Sequence, residues 1–104
     1  MITVYNKLVR DRVPELIKKE KKKCKAEVLS DADYLVALYR KLEEELAEYR
    51  ANPSIEELAD LLEALRANAL ARGYSLEELE RVRAEKEADR GSFRNRIFLR
   101  YSED

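Results

Sequence analysis

Four acidic residues carry the strongest chemical signal in the chain. Glu45 and Glu48 precede the turn Asn52-Pro53-Ser54, and Glu57 and Asp60 follow it. Each pair is spaced i, i+3, so its members share one helix face a turn apart. Carboxylates gathered at one point repel one another, and a divalent cation is the usual compensation. The chain contains no histidine, so any metal must be held by oxygens, which favours Mg²⁺ or Mn²⁺. The same absence excludes a Ser-His-Asp triad, a Cys-His pair and a His-ligated zinc site.

The stretch that must position these acids is Leu42 to Leu62. It reads as the end of one amphipathic helix, a tight turn and the start of another. The apolar stripe of the first helix is Leu35, Leu38, Leu42, Leu46 and Tyr49, and that of the second is Leu58, Leu61, Leu62, Leu65 and Ala69. In both helices the acids lie to one side of the stripe, in the same rotational sense. A short turn makes the helices antiparallel neighbours, related by a rough twofold axis, so equal offsets project from the same side. The four carboxylates are therefore expected on one patch.

Composition bounds what the rest can be. The 104 residues suffice for one domain, 1–104, with a modest core. With 21 basic and 22 acidic residues the net charge is −1, which argues against a polycation that seeks nucleic acid. Charged residues are 41% of the chain, with only two Gly and two Pro, a balance that points to helices with solvated faces. The single cysteine, Cys24, has no internal partner, which fits a reducing cytoplasm. No apolar run approaches a membrane span or a signal-peptide core.

Helix boundaries follow from punctuation. Val13-Pro14 opens a helix to about Lys22 after an irregular arm, residues 1–12. Ser30 with Asp33 starts a helix near Asp31 that runs to about Ala51. Pro53 stops it, and Ser54 caps a third helix to about Arg72, where Gly73 suits the left-handed position. Ser75 with Glu78 opens a fourth, Leu76 to Arg90, which Gly91 ends. Ala26–Leu29 and Ile97–Leu99 read as β-like runs that pair as a minor two-stranded ribbon. The expected architecture is all-α, a compact bundle of about four helices.

Each motif also has a plain explanation. Ser54-x-x-Glu57 is a capping box, and an acid in a first helical turn suits the dipole; taken alone, Glu57 is a cap. Glu43, Glu44, Glu45 and Glu48 can be a solvated face with partners such as Lys41. The lysine-rich run Lys18–Lys25 reads as a solvated helix end, with RNA binding as the rival reading. The basic residues of the two ends, Lys7, Arg10 and Arg12, then Lys86, Arg90, Arg94 and Arg96, either balance the acids or hold phosphate oxygens.

Glu44-Glu45-x-x-Glu48 followed by Glu57-x-x-Asp60 resembles the EExxE…ExxD signature of the MazG-like nucleoside triphosphate pyrophosphohydrolases. That all-α superfamily includes phosphoribosyl-ATP pyrophosphohydrolase and dimeric dUTPases. YNKLVRDRVPELI at residues 5–17 and DRGSFRNRIFL at residues 89–99 resemble a small stand-alone branch labelled phosphoribosyl-ATP pyrophosphohydrolase-like. The resemblance covers nearly the whole chain. The gap between the acid pairs is shorter here than in the larger family members, so no substrate preference is borrowed from longer-loop relatives.

The resemblance implies Glu45, Glu48, Glu57 and Asp60 as Mg²⁺ ligands, with Glu44 holding a second metal or orienting water. It implies Lys7, Arg10, Asp11, Lys86, Arg90 and Arg96 as nucleotide contacts. It also turns Glu57 from its Ser54 cap towards a metal. The expected activity is Mg²⁺-dependent cleavage of a nucleoside triphosphate to a monophosphate and pyrophosphate, in a house-cleaning role rather than histidine synthesis. The expected assembly is a homodimer or higher homo-oligomer, because so short a hairpin leaves apolar surface to cover. The contrasting expectation is a non-catalytic helical nucleotide-binding or interaction protein.

Overall fold

Every serine expected to start a helix does so. The computed structural model describes residues 1–104 as α1 (Val13–Lys19), α2 (Asp31–Ala51), α3 (Ile55–Ala71) and α4 (Leu76–Arg90). The Ser30, Ser54 and Ser75 hydroxyls accept the amides of Asp33, Glu57 and Glu78 and so satisfy donors that have no partner inside the helix. The end of α3 is closed by Gly73, whose φ of 89° is left-handed. Its amide bonds to the Leu70 carbonyl and that of Tyr74 to the Ala69 carbonyl, the paired pattern such a residue permits.

Two expectations are corrected. Helix α1 ends at Lys19 rather than about Lys22, and Lys21 turns left-handed at φ 61°. Extending the helix would stack Lys18 on Lys22 and Lys19 on Lys23, like charges one turn apart. The two-stranded ribbon does not form: residues 26–29 and 97–99 belong to no strand. One pairing with no sheet face or helix behind it gains too little to hold two extended segments together. The fold is all-α.

The packed unit is the α2–α3 hairpin, with α4 resting against α3. Its seam follows only one edge of the apolar stripes. Leu38 and Ala64 are buried in it, but so is Glu45, at 4% exposure. Leu46, Leu58, Leu62 and Leu65 are exposed instead. By helical phase the seam runs through Leu38, Leu42, Glu45, Asp60, Leu61 and Ala64. The hairpin is thus rotated so that acids enter the contact beside Leu38, Leu42 and Leu61, while Leu46, Leu58, Leu62 and Leu65 of the stripes turn out of it.

Little apolar surface is closed within one chain. The molecule measures 62 × 31 × 23 Å with a radius of gyration of 18.2 Å, against about 13 Å for a closed domain of this length. Its accessible surface is 10039 Å², whereas about 6,000 Å² is usual for this mass. Stability should concentrate in the hairpin. Leu38→Ala is expected to cost about 2–5 kcal/mol in urea denaturation, by loss of burial and creation of a cavity. Val28→Ala, at a fully exposed position, should stay within about 0.5 kcal/mol of the parent protein.

Candidate metal centre

The turn between α2 and α3 decides what Glu57 does. The Ser54 hydroxyl accepts the Glu57 amide at 3.3 Å, which is half of a capping box. The other half needs the Ser54 amide, and that amide donates to the Asn52 carbonyl at 2.7 Å across Pro53. That amide is therefore not available to the Glu57 carboxylate. The contrast lies one helix on. There the Ser75 amide is free and donates to Glu78 Oε1 at 3.4 Å, while Ser75 accepts from Glu78, which closes the box. The same S-x-x-E spacing therefore yields a cap at Glu78 and a released carboxylate at Glu57.

Released, Glu57 meets acids from both helices. One carboxylate oxygen each from Glu45, Glu57 and Asp60 lie within 4.8 Å of one another. Glu45 Oε1 is held by Lys41 Nζ at 3.0 Å. Its other oxygen, Oε2, is buried without a hydrogen-bond partner, and so is Oε2 of Glu57. Buried carboxylate oxygens without donors carry a substantial desolvation cost. An all-oxygen set with open lone pairs fits a hard divalent cation. Glu48 stands at the solvent edge of this group and adds negative charge beside Glu57.

The electrostatics record the crowding. Loss of water contact pushes the Glu57 carboxyl above its ordinary range, and the charges of Glu48 and Asp60, a hydrogen bond shared with Glu48 and the charge of Glu45 push it further. Glu44 shifts the other way. Burial raises it, but hydrogen bonds from Lys7 and Lys41 outweigh burial and hold it below the ordinary carboxylate range. Lys7 is raised in turn, chiefly by its hydrogen bond to Glu44.

The basic residues named from the sequence divide into two sets. Lys7 Nζ pairs with Glu44 Oε1 at 2.8 Å, and Arg10 Nη2 with Asp60 Oδ1 at 2.8 Å, so the arm reaches the acids. Asp11 is exposed in the turn before α1. Lys86 and Arg90 on α4 and Arg96 in the tail are exposed as well. None of these three pairs with the acid group, and the nearest carboxylate to Arg90 is the adjacent Asp89, at 3.9 Å. One residue of the site was undervalued in the sequence: Lys41 bridges Glu44 at 3.2 Å and Glu45 at 3.0 Å. Its i, i+3 and i, i+4 spacing from the two glutamates was the available signal, read there as a solvated pair.

No family model matches the chain, and no solved structure matches it. A protein of Mycolicibacterium smegmatis described as uncharacterized is 52% identical over 44 residues, which are 42% of this chain and 45% of that protein. The match thus spans less than half the length of that relative.

Glu57 and Ser54 separate experimentally. Removing the cap by Ser54→Ala should cost about 1 kcal/mol. Glu57→Gln should raise the metal-free melting temperature at neutral pH, because it removes charge repulsion without removing a cap. The pH dependence has two signs. Glu57, raised when folded, stabilises the protein below its ordinary value of 4.5 and loses that contribution as pH rises through its folded value. Glu44, lowered when folded, contributes above 4.5 and loses this as pH falls through its folded value. Melting curves of Glu57→Gln and Glu44→Gln from pH 3 to pH 8 should diverge accordingly.

Proposed function

We propose that the chain is a Mg²⁺-dependent nucleotide pyrophosphohydrolase of the MazG-like kind, with Mn²⁺ as an alternative ion. It would add water to a nucleoside triphosphate or related nucleotide and release a monophosphate and pyrophosphate. The observation that carries this reading is the pair of partnerless buried oxygens on Glu45 and Glu57, two carboxylates that cluster with Asp60. Five carboxylates, Glu44, Glu45, Glu48, Glu57 and Asp60, meet three cations, Lys7, Arg10 and Lys41. The excess of two negative charges equals the charge of one divalent ion.

Glu45, Glu57 and Asp60 would hold the ion, with Glu48 completing the set from the solvent side. A divalent ion bound there supplies screening of phosphate charge and acidification of water. Glu44, kept ionised by its lysines, accepts a proton from the attacking water. Lys7 and Arg10 are within reach of phosphate oxygens at the same patch. A house-cleaning role in the cytoplasm suits a chain with one unpaired cysteine and no helix long and apolar enough to cross a membrane.

A homodimer is part of the same reading. The surplus of roughly 4,000 Å² over a closed monomer exceeds the roughly 800 Å² per partner that a specific interface buries. The apolar side of the hairpin, with Tyr39, Leu46, Leu58 and Leu65 exposed, is turned from the acids by roughly a quarter turn or more in helical phase and would supply the contact. Lys86, Arg90 and Arg96, which form no ion pair with the acid group of their own chain, would act across that interface. The same apolar side is what favours the rival reading, an interaction protein with no catalysis.

One experiment decides between them: pyrophosphate release over canonical and damaged nucleotides, with and without Mg²⁺, beside Glu48→Gln and Glu57→Gln. Metal-dependent release is expected. Its loss in Glu57→Gln should exceed the roughly 10–100-fold typical of an outer-shell change, although that variant folds. Metal-independent release, or release that survives both substitutions, contradicts the ligand set. Light scattering should give twice the chain mass for the parent protein and the chain mass for Leu58→Glu with Leu65→Glu.

A further inference from the structure

The N-terminal arm has no regular structure, and all of residues 1–12 except Leu8 are exposed. Two ion pairs nevertheless fasten it, three residues apart and to different helices. Lys7 holds Glu44 of α2 and Arg10 holds Asp60 of α3, each at 2.8 Å. Asn6 bends the arm just before Lys7, at a left-handed φ of 46° that Asn tolerates better than most residues. Beyond Arg10 the chain turns at once into α1 through the Val13 amide bonded to the Arg10 carbonyl at 3.0 Å. The arm thus straddles the acid face and is anchored mainly by charge.

We propose that residues 1–12 are a strap worked by charge: docked while the acid group lacks a divalent cation, and released when one binds. This rests on the reading of Glu45, Glu57 and Asp60 as a cation site. The Glu45 side chain is 6% exposed with Oε2 partnerless, so the cluster is more than a solvated acid patch. Arg10 occupies one oxygen of Asp60, the carboxylate that also belongs to the three-atom group. The guanidinium and a divalent ion would share that carboxylate with like charges a few ångströms apart, and each lowers the affinity of the other. Linkage makes the antagonism reciprocal: the ion loosens the arm, and loss of the arm's charge tightens the ion. Release also frees Lys7 and Arg10 to meet an anion, so strap and phosphate contact are successive roles of the same two side chains.

The sign distinguishes this from a positioning role. A residue that orients a ligand carboxylate weakens metal binding when removed. A competing counter-ion strengthens binding when removed. The test uses the full chain with Mn²⁺ as probe, at low ionic strength, measuring free Mn²⁺ by electron paramagnetic resonance for the parent protein, Arg10→Gln and Lys7→Gln. Arg10→Gln should bind Mn²⁺ about 5-fold more tightly or better, and Lys7→Gln should shift the same way by less. Trypsin cleavage after Lys7, Arg10 and Arg12, followed by mass spectrometry, should accelerate when Mn²⁺ is added to the parent protein, while cleavage after Arg81 in α4 serves as the control. Unchanged or weaker Mn²⁺ binding by Arg10→Gln overturns the strap, as does protection of the arm by Mn²⁺, and either leaves the cation site standing. If no variant binds Mn²⁺, the cation reading falls and the strap with it.

Discussion

Negative charge left unneutralised in the seam between two helices is the constraint on which the rest of the molecule depends. An interhelical contact normally buries leucine and alanine, and this one buries Glu45 beside Leu38 and Ala64. Lys41 neutralises one side of that carboxylate, and the other side faces Glu57 and Asp60. A chain that needed only stability would put an apolar residue at position 45, since a buried ion pair rarely outperforms well-packed hydrocarbon. The arrangement is coherent if the empty state is incomplete. The arm then becomes intelligible as partial compensation: Lys7 and Arg10 supply charge from outside the hairpin.

The same constraint explains the shape. Rotating α2 and α3 to bring the acids into the seam moves Leu46, Leu58 and Leu65 out of it. The monomer cannot cover that side, because α1 is one short helix and α4 contacts α3 alone. Acids in the seam leave apolar surface uncovered on the other side, which the proposed dimer would cover.

Much of this was legible in the sequence. Helix starts depend on local hydrogen bonds that serines announce, and Ser30, Ser54 and Ser75 announced them correctly. The convergence of Glu45, Glu57 and Asp60 follows from i, i+3 spacing and hairpin symmetry, both local properties. What periodicity missed was the rotation of the seam, because apolar stripes show which side is apolar and not which side meets the neighbouring helix. The ribbon was misread for a related reason: β-like composition in 26–29 and 97–99 describes segments, whereas pairing depends on what stands behind them. The release of Glu57 turned on a detail no spacing rule encodes, the Ser54 amide bonding back to Asn52. That Lys86, Arg90 and Arg96 form no ion pair with the acid group depends on tertiary placement, to which charge counting is blind.

The central claim is that the partnerless oxygens of Glu45 and Glu57 await a divalent ion. The most direct measurement is an anomalous difference map from crystals grown with Mn²⁺. A peak bounded by carboxylate oxygens of Glu45, Glu57 and Asp60 is the predicted result. A map with no peak there would contradict it.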